Sequence, residues 1–343
     1  MNRKTREGVP ERLETAFPYS FGEDTMRATL VGAMVVAGLL CALASLALGS
    51  GDGCQVAPGM LGVSRVIEID TSSGPRFGQQ YRNSDLLQDK EVVLTFDDGP
   101  MRPYTRPVLE ALSAHCTKAT FFMVGRMAVA DPEMVREVAK RGHTIGTHTW
   151  SHRHLNTLTP SQAQGEIELG LSAVQHALGQ PVAPFFRFPY LADSKSLLAR
   201  LGARDIAVFS IDADSFDYRT PSPDTVHRTI ISQLQSKGKG IILFHDIQPS
   251  TARGLKRLLD DLKVRGFKVV HLVPKSKATT LAEYNEAAVR ELTRRSSIAA
   301  SDPLARRSLV WPILQVGRPA AGGGPPADAG DVQETWRERA FRH

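Results

Sequence analysis

A chain of 343 residues, 42% apolar and 23% charged, has room for one large globular domain plus appendages, and a core of that size needs no disulfide or metal to hold it. The formal net charge of +6 comes from basic residues spread along the chain, without the clustering near aromatics that nucleic-acid binding asks for. An ordinary solvated surface is expected, no nucleic acid is expected as a partner, and no feature points to a protein partner.

The first 27 residues carry Arg3, Lys4, Arg6, Arg12 and Arg27, and residues 28–48 contain no charge at all. A bilayer-spanning helix needs about 20 apolar residues. The next basic residue is Arg65, so the charge asymmetry puts the N-terminus in the cytoplasm and the remainder on the outer, periplasmic or extracellular, face. An uncleaved signal anchor is preferred to a signal peptide cut near Ala44 or Gly49, which would release a secreted protein, because the apolar run is long. Residues 49–89 are rich in Gly, Ser and polar side chains and read as a stalk. Of the three cysteines, Cys41 lies in the apolar run; Cys54 and Cys116 could pair in an oxidising compartment, but they form no CxxC or zinc-ribbon spacing, and free thiols are the expectation.

From residue 91 the pattern changes to alternating strands and helices. Strands are expected at 91–96, 119–125, 144–149, 185–189, 207–211, 241–245 and 268–272. Helices are expected at 107–114, from Asp131-Pro132 to Gly142, from Thr159-Pro160 with Gln162 to Gly179, and at 194–201, 224–234 and 252–264. Alternation of this kind gives parallel strands with right-handed crossovers, hence an α/β barrel or wound sheet over residues 90–275. Residues 276–343 form a C-terminal extension, with an amphipathic helix at 281–294 and a Pro/Gly/Ala-rich stretch at 319–330 expected to be disordered.

Polar residues stand just after the strands, at the end where parallel α/β folds build sites. Asp97 and Asp98 end the first strand, where two adjacent carboxylates are costly without a cation. His148 and His152 are four apart, a spacing that puts both imidazoles on one side of a helical turn. Two histidines and a carboxylate form a catalytic metal set with positions left for water. Arg187 in an apolar strand needs a carboxylate partner, Asp214 and Asp217 follow another strand, and His245 at the tip of an apolar strand beside Asp246 has the position of a general acid. Each feature alone also fits a plain turn, a structural ion pair or a satisfied core histidine.

In combination these residues resemble the polysaccharide deacetylases with a NodB homology domain, carbohydrate esterase family 4. Five stretches carry the resemblance: Thr95-Phe96-Asp97-Asp98-Gly99-Pro100, His148-Thr149-Trp150-Ser151-His152, Arg187-Phe188-Pro189-Tyr190, Asp214-Ser215-Phe216-Asp217-Tyr218 and Leu243-Phe244-His245. Leu191 stands where the third motif usually has Gly, and Tyr218 where the fourth usually has Trp. The resemblance implies a distorted (β/α) barrel and hydrolysis of N-acetyl groups from an N-acetylglucosamine-containing glycan, such as a chitooligosaccharide or peptidoglycan. It implies one divalent metal, zinc or alternatively cobalt, held by Asp98, His148 and His152, with Asp97 as general base and His245 as general acid. Arg187 would orient Asp97, and Asp217 or Asp214 would orient His245. The Tyr190 N–H would meet the oxyanion, Leu243 would line the acetyl pocket, and Tyr218 would wall the groove. A non-catalytic glycan-binding protein and an O-acetyl esterase on the same fold are the alternatives.

Overall fold

The computed structural model describes residues 54–82 and 86–301, with the side chains of 298–301 left aside. The expected anchor at 28–48 and the low-complexity stretch at 319–330 lie outside the described residues. Among the described residues no helix is long and apolar enough to cross a membrane.

Ten strands, all in parallel pairs, and eight α-helices follow one another among the described residues. They are β1 (Arg65–Ile69), β2 (Arg76–Phe77), β3 (Glu91–Asp97), α1 (Arg102–Ala114), β4 (Thr120–Met123), α2 (Gly125–Ala130), α3 (Pro132–Lys140), β5 (Thr144–Thr147), α4 (Pro160–Leu178), β6 (Phe185–Phe186), α5 (Lys195–Ala203), β7 (Ala207–Phe209), β8 (Ala213–Asp214), α6 (Pro223–Lys237), β9 (Gly240–His245), α7 (Pro249–Val264), β10 (Lys268–Pro274) and α8 (Ala282–Ser301). Pairing runs β3–β4–β5–β6–β7; the chain continues from β7 into β8, and β8 pairs with β9, which returns to β3. This ring, broken where β7 gives way to β8, is the distorted barrel the resemblance implied, one of the two forms the alternation left open.

Strand alternation sorts the side chains. On β3, Val92, Leu94 and Phe96 pack outward with the helix layer, while Val93 faces the inner cluster with Phe122, Phe185 and Phe209. Thr95 and Asp97 share the face of Val93. Their register partners on β9 are Leu243 and His245, so the chemistry of both strands emerges at one end of the ring. Every residue of β3 is buried, as a strand covered on both faces requires.

The helix signals hold where caps are present. Asp131 accepts the Met134 N–H at 3.1 Å, Thr159 and Gln162 form a reciprocal capping box, and Gly179 ends α4 at φ 81°. Helix α1 starts at Arg102, five residues before the expected position. Thr105 Oγ1 takes the Met101 N–H at 2.8 Å, and Pro103 is the proline of the first turn; Pro107, read as the start, lies a turn further in.

The amphipathic helix expected at 281–294 is α8: its Ala288 is buried with Val129 and Ala173 of α2 and α4, and Leu292 packs on the same cluster. Two expectations are corrected. Residues 65–81 are not a stalk: β1 pairs with β10 and β2 with β7, because apolar residues such as Ile69 are buried there. Cys54 and Cys116 are not free thiols but a disulfide closing a separation of 62 residues. Sequence spacing could not reveal it, because it joins the start of the described chain to the turn after α1.

Candidate active site

Asp98, at φ 76°, follows Asp97 out of β3, so the two carboxylates diverge. Asp98 Oδ1 lies 3.6 Å from His148 Nε2 and 3.3 Å from His152 Nε2, and one ligand atom from each of the three residues falls within 4.8 Å of the others. The two histidines come from the loop after β5, not from a helical turn as expected. Left-handed Thr149 (φ 67°) and His152 (φ 58°) bend that loop until the rings are 4.8 Å apart. Glu166 of α4 holds it from behind, accepting from the Ser151 N–H at 2.8 Å and its hydroxyl at 2.7 Å.

The donor set fits a cation. His148 Nδ1 stands 2.7 Å from the Arg187 carbonyl, an arrangement that requires Nδ1–H and leaves Nε2 as a lone pair aimed at Asp98. Burial holds both imidazoles below the ordinary histidine range, so they favour the neutral, ligating form. Asp98 Oδ1 is buried without a hydrogen-bond partner. Acceptors facing one another in a dry site repel unless a positive ion stands between them.

Arg187 is fully buried at the centre of the site. Its Nη1 donates to Asp97 Oδ1 at 2.7 Å and Thr95 Oγ1 at 2.8 Å; Nε and Nη2 donate to the carbonyls of Phe209 and Ser210, both at 3.1 Å. The guanidinium lies 4.3 Å from the centre of the Phe122 ring. One residue thus holds Asp97 with its side chain and His148 with its carbonyl. Burial pushes Asp97 up to about 6 against the pull of Arg187, with Asp98 adding repulsion.

His245, across from Asp97 on β9, has Nδ1 2.7 Å from Asp217 Oδ1. Asp217 Oδ2 accepts the His245 N–H at 2.8 Å and the Thr251 hydroxyl at 2.5 Å. Burial acts to lower the His245 pKa, but Asp217 overrides it and carries the imidazole up to about 10, so it holds a proton at neutral pH. Asp217 is the partner of His245. Asp214 instead accepts from the Phe216 N–H at 2.8 Å and the Tyr218 hydroxyl at 3.4 Å, and Tyr218 meets the His245 ring edge-on at 5.5 Å. Leu243 is buried two residues before His245 on the same strand face.

Tyr190 is 45% exposed beside the triad, with its ring 4.8 Å from His152 and stacked 5.5 Å from His154. Tyr190 (φ 59°) and Leu191 (φ 54°) are both left-handed. Thr251 and Glu166 escaped sequence reading because each sits on a helix with no local pattern that marks it.

The chain as a whole is similar to known proteins. A family profile described as polysaccharide deacetylase matches residues 85–207. The chain is 28% identical over 214 residues to a chitooligosaccharide deacetylase of Bradyrhizobium, covering 58% of this chain and 96% of that protein. It is 31% identical over 182 residues to a peptidoglycan-N-acetylglucosamine deacetylase of Listeria monocytogenes, covering 53% of this chain but only 38% of that longer protein. A solved peptidoglycan deacetylase of Bdellovibrio bacteriovorus superposes with a TM-score of 0.58 at 34% identity, covering 72% of this chain and 70% of that one. With the fold, the five motifs and these relatives in agreement, the chain belongs to the polysaccharide deacetylase family, whose members of this kind are N-deacetylases of polysaccharides.

Proposed function

We propose that the chain hydrolyses N-acetyl groups of an N-acetylglucosamine-containing envelope glycan, with a divalent cation held by Asp98, His148 and His152. The observation that carries this reading is the pairing across β3 and β9 of a buried carboxylate held by Arg187 and a histidine held by Asp217, with the three-residue ligand set beside them. Zinc suits two imidazoles and one carboxylate. Bound there, the ion would supply Lewis acidity toward the acetyl carbonyl and lower the pKa of a water.

The chain's own groups do the rest. Asp97 accepts the proton of the attacking water as its oxygen bonds to the acetyl carbon. The Tyr190 N–H, which no carbonyl takes among the described residues, faces the developing oxyanion. His245 gives its Nε2 proton to the sugar nitrogen as the C–N bond breaks, releasing acetate and the amine. Arg187 keeps Asp97 ionised and aimed. Asp217 keeps His245 charged until the proton is needed. Tyr218 and Leu243 wall the pocket beside His245.

An outer-face location goes with this substrate. It is supported by the basic segment before the apolar run at 28–48 and by the Cys54–Cys116 disulfide, a bond typical of oxidising compartments. The test is acetate release from N-acetylglucosamine oligomers and from peptidoglycan. Loss with chelator and recovery with zinc supports the proposal. A protein that binds these glycans without releasing acetate in the presence of zinc is a binding protein, and one that releases acetate only from O-acetylated glycan is an esterase; either result overturns it.

A further inference from the structure

Leu191 adopts a backbone conformation that suits glycine, and so does Tyr190 before it, yet no glycine stands at either position. Something else must hold this loop, and its partners come from two segments distant in sequence. Gln80 Nε2 donates to the Leu191 carbonyl at 3.2 Å and to Asp193 Oδ2 at 3.0 Å, and the Tyr81 hydroxyl donates to the same Asp193 oxygen at 2.8 Å. Asn156 Nδ2 donates to the Asp193 carbonyl at 3.0 Å. Gln80 is itself fixed, its Oε1 accepting from the Ser210 hydroxyl at 2.9 Å. Gln80 and Tyr81 lie in a short 3-10 turn right after β2, which is tied to β7 by its register with Val208 and Phe209. This turn precedes the residues 85–207 matched by the family profile.

We propose that Gln80, Tyr81 and Asp193 form a latch that sets the Tyr190 backbone for catalysis. The latch takes the place of the missing glycine: hydrogen bonds from a separate segment hold Leu191 left-handed, and with it the direction of the neighbouring Tyr190 N–H. These are positioning residues, since none of them touches the metal ligands, Asp97 or His245 in the contacts described above. The inference rests on the deacetylase reading of the site.

Because the latch acts on a group that binds the developing oxyanion, its loss should lower kcat and leave KM for a short oligomer within about two-fold. Removing an oxyanion donor altogether costs about 10²–10³ in kcat; releasing the latch only misaims one, so about a 10-fold loss is expected. The experiment compares Asp193→Ala, and the double variant Gln80→Ala with Tyr81→Phe, with wild type in the zinc-loaded enzyme, each also in a Leu191→Gly background. Glycine needs no help to be left-handed, so Leu191→Gly should restore part of the lost kcat, about three-fold or more. The double variant serves if Asp193→Ala does not fold. Folded latch variants with wild-type kcat overturn the proposal. So does a loss that tracks a fall in Tm and is not relieved by Leu191→Gly, which would make the contacts mere scaffold. Asp97→Asn is run alongside: if it keeps wild-type activity, the reading of the site has failed, and not the latch alone.

Discussion

Asp97 and Asp217 are both fully buried carboxylates beside a cationic side chain, yet their proton affinities move in opposite directions. Burial raises Asp97 to about 6, and Arg187 only limits the rise, because a single Nη1–H reaches the carboxylate while Asp98 repels it. Burial would raise Asp217 too, but the charge of His245, two donors from the same histidine and the Thr251 hydroxyl more than reverse it, and Asp217 is held below the usual carboxylate range. Counting donors explains the difference. A carboxylate with three short donors is committed to staying charged, and a carboxylate with one keeps an oxygen ready for a proton. In the proposed mechanism the first holds a partner and the second acts as the base.

The largest effect expected from breaking this contrast is that of Asp97→Asn. It keeps the shape and removes the base, and should cut kcat by about 10²–10⁴ with metal content unchanged, as read by acetate release and metal analysis. Next comes Arg187→Met. It leaves Asp97 buried with its charge unpaired, which costs about 3–5 kcal/mol in comparable buried pairs, and chemical denaturation should register a loss of that order. Surviving activity should need a higher pH, since Asp97 without Arg187 holds its proton more tightly.

A smaller effect separates catalysis from folding. His143, whose Nδ1 accepts the Ala119 N–H at 3.2 Å, is lowered by burial to about 3, and His271, beside the Thr144 hydroxyl, to about 4. Both lie away from the two dyads. Their folded pKa values are below the ordinary histidine value, so the unfolded chain binds the extra protons. Their share of stability is therefore complete above about pH 6.5 and is lost as pH falls toward 4, at roughly 1–2 kcal/mol each by pH 5. Urea midpoints at pH 7 and pH 5 check this. His143→Gln with His271→Gln should flatten the change without moving the acid limb of the activity profile.

Much of the site was legible in the chain because its members sit at strand ends, where alternation and apolar runs place them. Asp97 and Asp98 after one apolar strand and His245 at the tip of another read directly, and the register of β3 on β9 then sets Asp97 across from His245. What the sequence hid is what crosses long separations without a local pattern. The two histidines were expected on a helical turn and converge instead through left-handed loop residues. Gln80 and Tyr81, in what read as a stalk, reach Asp193 more than 100 positions away. Asp214 and Asp217 have the same chemistry and both follow the strand expected at 207–211, so only the hydrogen bonds show which one holds His245.

The most direct test of the contrast is the pH dependence of kcat/KM for the zinc-loaded wild type and Asp217→Asn. Wild type should give a bell, with an acid limb from Asp97 near or below pH 6, since a bound cation opposes its rise, and an alkaline limb from His245. Without the Asp217 charge His245 loses its largest support, so the alkaline limb should move down by about one pH unit or more while the acid limb stays in place. An alkaline limb that does not move, or an acid limb that moves instead, would contradict the assignment of His245 and Asp217 to the acid and Asp97 to the base.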